Sequence, residues 1–557
     1  MNLTEEQQAA VNAPGEIVAC IAGPGSGKTH LTVERISADF ASGRAAPETT
    51  AVITFTAAAA RELSNRLEAA GVPLPAYVGT LHGWCLKFLN AGRRDPLTVL
   101  DEGAAEAMAK FVIERNHLKT TAAKMAKAIS GIGLWLVEQH AQQLTLAVSL
   151  YRKLLADEGA IDYDLILANT LEALAVTDPG VRALYVDEFQ DSSPIDLKIY
   201  TALRLNLFFV VGDPDQAIYG FRGGDVAGLL SLVNRPGASV VYLQDCFRCR
   251  QGICDLANRL IGRNTVRAPK RMRSVKDGDA DAILKRFGTD LEERAWIVAS
   301  IRERLAAVSP TDIAVLVRYN SEREKIVAAL DAAGIPVAGK KAPEPPDWRL
   351  AVASLNLIAA PTNFMAGVAW HAARGAPLIE AMKTCREMRE TGHSYGPEGV
   401  GSDTNIAAAL KACGVSLESA LRIAEISTAV GAKSALDAAY AIRETLKADG
   451  PAGVTVTTFH GAKGLEWPEV YLPAFEAGTI PGNKAGIEVE EERRLAFVGL
   501  TRAERALRIT WAATRGNPYR RNAPEPTGGP SPFVLEIAPA QDVQALAGYV
   551  TEKGAGQ

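Results

Sequence analysis

No stretch of this sequence stays apolar for long enough to cross a membrane. The first residues, Met1-Asn2-Leu3-Thr4-Glu5-Glu6, lack the basic-then-apolar order of a secretory signal. Both absences point to a soluble protein, expected in the cytoplasm and away from membranes. An excess of positive charge is missing as well, since 60 Lys and Arg stand against 64 Asp and Glu for a net charge of −4. This balance argues against indiscriminate coating of nucleic acid but not against a local basic groove. Cysteines number seven, an odd count in a large chain with no secretory context, so no disulfide framework is expected. Cys246, Cys249 and Cys254 lie close together, but no fourth Cys or His is near them, and reduced thiols are expected rather than zinc.

With 48% hydrophobic residues over 557 positions, the chain can bury full cores and by length should form roughly four domains. Its most informative string is Ala22-Gly23-Pro24-Gly25-Ser26-Gly27-Lys28-Thr29. An apolar run, Glu16 to Ile21, reads as a buried strand before it, and His30 to Phe40 reads as a helix after it. A glycine-rich turn between strand and helix aims successive N–H groups at a phosphate. Lys28 can then reach the terminal phosphates and the Thr29 hydroxyl can ligate Mg²⁺. The usual pattern begins with Gly, and Ala22 is small enough for the turn to keep. Nucleoside triphosphate binding with Mg²⁺ is the expectation.

A second acidic string follows the strand-like Leu184-Tyr185-Val186: Asp187-Glu188-Phe189-Gln190-Asp191. Two carboxylates ejected from the end of a buried strand suit phosphoryl chemistry. Asp187 would hold the metal, and Glu188 would orient and deprotonate the attacking water. Hydrolysis is therefore expected as well as binding.

From Ile17 to about Leu243, apolar runs alternate with helical patterns, the signature of a parallel sheet covered by helices. A second alternating set starts near Ala282 and breaks at the Pro-rich Lys340 to Pro346. It resumes at Val454 to Phe459. The expected fold class is α/β, two parallel-sheet cores with flanking helices, each with a mainly helical inserted subdomain. Residues 1–85 and 161–250 form the first core, interrupted by 86–160. Residues 251–340 and 451–540 form the second, interrupted by 341–450, and 541–557 are a C-terminal tail.

Further strings complete an ordered series. Leu3-Thr4-Glu5-Glu6-Gln7 precedes the phosphate loop. Val210-Val211-Gly212-Asp213-Pro214-Asp215-Gln216 ends another strand in polar residues. Cys246-Phe247-Arg248 follows. Thr457 to Trp467 contains His460-Gly461-Ala462-Lys463-Gly464-Leu465-Glu466, and Glu491 to Ala503 ends in Thr501-Arg502-Ala503. In this order they resemble the UvrD/Rep/PcrA-type superfamily 1 DNA helicases over most of the chain, the two insertions and the tail excepted.

That resemblance implies roles. Gln7 would read adenine, since an amide donates and accepts at once, and Phe247 would stack on the base. Gln216 would sense the γ-phosphate, while Arg248 and an arginine finger at Arg502 would neutralise it. Glu466 would approach the ribose, and His460 would couple nucleotide to DNA. Thr56, Thr80, His82, Tyr219, Phe221 and Arg222 would line the DNA strand. Phe221, where the family usually has Trp, is either a stacking platform or a buried core aromatic. The cations from Arg263 to Lys276 read either as phosphate contacts or as a solvated basic loop.

The implied activity is ATP-dependent 3′→5′ translocation on single-stranded DNA with unwinding of forked duplex, by a monomer or DNA-dependent dimer. The alternative is a DNA-stimulated translocase with little autonomous unwinding, acting beside a nuclease or a replication or repair factor. The second insertion is shorter than the family's. The family's Gly-rich duplex-contacting segment is not recognisable near Arg374-Gly375-Ala376-Pro377. The acids Glu525, Glu536 and Asp542 are too sparse for a nuclease site.

Overall fold

The computed structural model describes residues 3–93, 96–100, 102–129, 141–218, 226–338, 347–359, 363–391, 393, 395, 406–429, 452–482, 488–516, 525–527 and 529–538. The chain divides into two compact units. One comprises residues 1–81, 178–339 and 451–557, and the other 82–177 and 340–450.

The first unit contains two sheets. β1 (Ile17–Ala22), β2 (Thr50–Ile53), β3 (Tyr77–Gly79), β4 (Ala183–Val186), β5 (Leu207–Gly212) and β6 (Ser239–Leu243) align in the order β3-β2-β4-β5-β1-β6. Every pairing among them is parallel. In β1, Val18, Cys20 and Ala22 face a core shared with Leu31 and Ile36, while Ala19 and Ile21 are equally buried on the other face. Parallel strands covered on both faces need such unbroken apolar sequence. All the strands point the same way, so β1, β4 and β5 release the phosphate loop, Asp187 and Asp213 at one edge of the sheet. Ligands of open α/β sheets bind at that edge.

Two helices frame the loop: α1 (Glu5–Asn12) before β1 and α2 (Lys28–Ala41) after it. The fully buried Arg35 of α2 ties them together. Its guanidinium donates to the carbonyls of Ala10, Val11 and Ala13 at 2.9–3.0 Å and pairs with Asp39 at 2.7 Å. Tyr185 of β4 closes this knot by donating to Asp39 at 2.8 Å. A buried carboxylate so fully partnered fixes the angle at which α1 presents Gln7.

The second sheet is built from β7 (Asp281–Thr289), β8 (Ile313–Val317), β9 (Thr455–Thr458), β10 (Trp467–Leu472) and β11 (Ala503–Arg515), in the order β7-β11-β10-β8-β9. These are parallel, and the short β12 (Glu525–Pro526) adds antiparallel to β11. Along β8, Ala314 and Leu316 face one hydrophobic core, while Ile313, Val315 and Val317 face another. Helices α3 (Gln251–Ile261) and α4 (Val489–Leu500) belong to the first of these cores. The α/β architecture with two parallel sheets is therefore present.

The other unit is mainly helical and includes Glu102–Arg115, Ala141–Asp157, Tyr163–Leu174, Phe364–Ala373 and Leu378–Glu390. It takes in 82–177, a wider stretch than the 86–160 marked by sequence composition. The extra helix Tyr163–Leu174 is capped by Asp162, which accepts the Leu165 N–H at 2.7 Å and the Tyr151 hydroxyl at 2.6 Å, and is tied to Arg152 through Asn169 at 2.8 Å and Glu172 at 2.7 Å. Glu158 connects the two chain segments of this unit, receiving Arg386 at 3.0 Å and Arg389 at 2.9 Å. Among the described residues no helix is long and apolar enough to cross a membrane. All seven cysteines are free and buried, and no group of three His, Cys, Asp or Glu among the described residues could hold a metal.

Candidate active site

Backbone geometry at the end of β1 explains the glycines. Gly25 and Gly27 have φ of +67° and +80°, values that L side chains rarely adopt. A Cβ at Gly25 would lie 2.5 Å from the Arg248 Cβ, and one at Gly27 would lie 2.9 Å from the Gln7 amide nitrogen. The loop is closed by Ser26, whose hydroxyl donates to the Gly23 carbonyl at 2.7 Å. Gly23 N–H donates to Leu243 of β6 at 3.2 Å, and Phe247 N–H to the Gly25 carbonyl at 2.8 Å. Ala22, the departure from the usual loop pattern, is the fully buried last residue of β1.

Gln7 is already engaged. Its carbonyl oxygen accepts the Thr4 N–H at 3.1 Å, and its amide nitrogen donates to the Ser26 carbonyl at 3.0 Å. It therefore braces the phosphate loop while keeping one N–H and one lone pair for a base.

A cleft of about 550 Å³ is lined by Gln7, the loop from Pro24 to Thr29, Glu188, Gln216, Phe247, Arg248, Glu466 and Arg502. Residues of both sheets meet in it. Lys28 lies 3.8 Å from Glu188. Glu188 itself has φ of 51°, an uncommon left-handed value for a non-glycine residue, and its carboxylate accepts the Gln190 amide at 2.5 Å. Burial opposes its charge, but Lys28, then Lys463, Gln190 and Arg502, outweigh that effect and hold it down at about 2. Asp187 behaves oppositely: burial, then the charge of Glu188, push it up to about 7. One carboxylate is thus kept ionised beside a lysine, and the other carries a charge that no cation fully compensates.

Across the cleft, Arg248 pairs with Glu466 at 2.5 Å and donates to the Thr501 carbonyl at 3.2 Å. Arg502, 1% exposed, donates to the carbonyls of Val498 at 3.0 Å and Leu465 at 3.1 Å. It also reaches the Gln216 side-chain oxygen at 3.2 Å. Burial, then the positive charge of Arg248, press its pKa downward. A guanidinium stays charged even so, and it therefore favours an incoming anion.

Thr56, exposed, caps the helix Ala57–Ala69 by accepting the Ala59 N–H at 3.1 Å, which leaves its hydroxyl hydrogen to donate. The Thr80 carbonyl accepts the Tyr77 hydroxyl at 2.9 Å. His460 follows β9 and is half-buried. His82 belongs to the helical unit, where its ring lies 5.6 Å from that of Tyr163 and burial lowers its pKa. Tyr219, Phe221 and Arg222 lie outside the described residues.

Two residues had no sequence-level assignment. Gln190 bridges Glu188 to the Asp213 N–H, which donates to the Gln190 oxygen at 2.8 Å. Lys463, from the second sheet, pairs with Asp191 and donates to the Gln216 carbonyl at 3.0 Å. Both residues stand inside recognisable strings, but nothing in a string tells which carboxylate each will find. In the basic run from Arg263 to Lys276, Arg263, Arg271, Arg273 and Lys276 stay exposed, and Arg267 and Lys270 are drawn inward. Arg267 and Lys270 turn inward to Asp215, Arg273 pairs with Asp245 at 2.6 Å, and Lys276 pairs with Glu504 at 2.8 Å.

Sequence comparison agrees with this arrangement. A family model described as UvrD/REP helicase N-terminal domain matches residues 3–236. A second, UvrD-like helicase C-terminal domain, matches 241–342 and 425–514. The ATP-dependent DNA helicase PcrA of Bacillus subtilis is 26% identical, the alignment covering 96% of this chain and 85% of the relative. PcrA of Leuconostoc citreum is 27% identical, over 99% of this chain and 87% of its own length. UvrD2 of Mycobacterium tuberculosis is 27% identical, with 98% and 83% covered.

Proposed function

Because the chain belongs to the UvrD-like DNA helicases, we propose that it is an ATP-dependent DNA helicase moving 3′→5′ on single-stranded DNA in the cytoplasm. The observation that carries this reading is the meeting of Gln216 and Arg502 at 3.2 Å, residues borne by different sheets in one cleft. A nucleotide in that cleft touches both sheets, so its hydrolysis alters how they are held. That coupling turns phosphoryl chemistry into motion.

The donor set fits ATP and Mg²⁺. Gly25 and Gly27 let the phosphate loop turn tightly against Arg248 and Gln7, where any Cβ would collide. Thr29 and Asp187 offer the hard oxygens that Mg²⁺ prefers, and the incompletely compensated charge of Asp187 suits a cation. When bound, the metal supplies charge neutralisation at the β- and γ-oxygens. Glu188, kept ionised beside Lys28 and steered by Gln190, orients the attacking water and accepts its proton. Lys28, Arg248 and Arg502 neutralise the phosphoryl oxygens. Phe247 packs on the base and Glu466 approaches the ribose.

DNA would run past Thr56, Thr80, His82 and His460, together with Tyr219, Phe221 and Arg222. The pair of sheets corresponds to two RecA-like cores, and the helical unit to their insertions. A second reading, prompted by the short second insertion, is a translocase that needs a protein partner to unwind. ATP turnover with and without single-stranded DNA, beside strand displacement on 3′-tailed and 5′-tailed forks, tests both. DNA-stimulated turnover with displacement only from 3′ tails is expected. Stimulation without displacement selects the second reading, and displacement from 5′ tails overturns the polarity.

A further inference from the structure

We infer that Lys270, in the loop after α3, is a positioning residue for the hydrolysis reaction, acting through Asp213 on Gln216; this rests on the ATPase reading above. Its ammonium is almost wholly enclosed, 2.7 Å from one oxygen of Asp213 and in contact with Asp215. It also lies 5.7 Å from the centre of the Phe497 ring of α4. Burial works against its charge, but Asp213 and Asp215 outweigh that and raise its pKa above the ordinary value. Asp213 is fully buried, and its second oxygen accepts the Gln216 side-chain N–H at 2.7 Å.

The consequence lies in the orientation of one amide. The Gln216 nitrogen must face an acceptor, Asp213, and its oxygen must face a donor, Arg502, at 3.2 Å. Only one of the two amide rotamers satisfies both neighbours. Lys270 holds one oxygen of Asp213, which also accepts the Asp215 N–H at 3.0 Å, and so leaves the other oxygen aimed at the Gln216 amide. Without the ammonium that carboxylate is held by a single N–H and can turn away. The Gln216 amide then loses the acceptor that selects its rotamer and can turn its N–H groups toward Arg502. Lys270 thus keeps the γ-phosphate sensor facing the arginine finger. Arg267 has a different place in the same cluster, since it pairs with Asp215 at 2.9 Å and its contacts do not include Asp213.

The test uses the full chain, ATP and single-stranded DNA. Lys270→Met should lower kcat by about 10- to 100-fold, the scale for removing a partner that orients a functional group. KM for ATP should stay within about threefold, because the phosphate loop is untouched. Arg267→Met removes a cation from the same cluster and should lower the melting temperature comparably while keeping kcat within about threefold. Combining Lys270→Met with Gln216→Ala should give turnover no slower than Gln216→Ala by itself, since both changes act on one contact. If Lys270→Met does not fold, the charge-balanced pair Lys270→Met with Asp213→Asn should fold and still lose about tenfold in kcat, because a rotatable amide no longer dictates the sensor's orientation.

Wild-type kcat in either Lys270 variant overturns the proposal. So do multiplicative effects of Lys270→Met and Gln216→Ala, or equal kcat losses in Lys270→Met and Arg267→Met that follow melting temperature. Wild-type turnover that ignores DNA overturns the motor reading, and the same kcat comparison then decides Lys270. Absence of any nucleoside triphosphate hydrolysis by the wild type overturns both.

Discussion

Replacing Arg502 by alanine perturbs chemistry and stability together, and the structure allows the two to be weighed. An arginine finger contributes about 10³-fold or more to turnover, which is about 4 kcal/mol of barrier. The same guanidinium satisfies the Val498 and Leu465 carbonyls in a buried setting. Leaving those acceptors unmet and a void behind costs about 2–5 kcal/mol of folding free energy. Even the larger loss, taken from a domain stable by about 8 kcal/mol, leaves about 3 kcal/mol and under about 1% unfolded. Instability therefore cannot imitate a thousandfold fall in turnover at 25 °C.

Arg502→Ala should accordingly melt several degrees lower, bind single-stranded DNA nearly as the wild type does, and hydrolyse ATP about 10³-fold more slowly. The assay set is thermal denaturation, DNA anisotropy and steady-state ATP turnover on one preparation. A fall of only a few-fold refutes the finger and transfers its role to Arg248, which pairs with Glu466 in the same cleft. Loss of DNA binding in step with melting temperature refutes the separation of chemistry from stability.

Lys28→Ala should abolish turnover in a folded protein, because it removes a phosphate contact and no core volume; near wild-type turnover would contradict the phosphate-loop assignment. Glu188→Gln should keep nucleotide affinity and lose hydrolysis, so parallel loss of both, measured by equilibrium binding beside turnover, would make Glu188 structural. Asp187 has a folded pKa of about 7, raised above 3.8, so its protonation favours the folded state fully below about pH 3.8, an advantage lost as pH rises through about 7. Mg²⁺ competes with that proton and should raise the melting temperature more at about pH 8 than at about pH 6; equal shifts would argue against Asp187 as a ligand. Arg515→Met should cost about 3–5 kcal/mol, because it strands the buried carboxylates Glu293, Glu476 and Glu322, now at 2.5, 2.6 and 3.1 Å from the guanidinium. A melting temperature within about 1 °C of wild type would show that those acids find other partners.

The sequence by itself determined whatever short-range geometry encodes. A strand, a glycine turn and a helix in succession can make little other than a phosphate loop, because Gly25 and Gly27 need backbone angles that other residues resist. The acids after β4 and the polar string after β5 were legible for the same reason, since a buried parallel strand must change character where it leaves the sheet. Alternation of apolar runs with helical stretches sufficed for the α/β class. What only the tertiary structure decided is which charge meets which. Arg248 finds Glu466 218 positions away, Lys463 finds Asp191 across 272, and Arg502 finds Gln216 across 286. Arg267 and Lys270 read as a basic run, yet they turn inward because β5 delivers Asp213 and Asp215 beneath them. The helix Tyr163–Leu174 meets the helical unit through partners distant in sequence, Tyr151 on Asp162 and Arg152 on Asn169 and Glu172. Sheet order sets these encounters. It follows from packing energies summed over the whole chain, so no local string carries it.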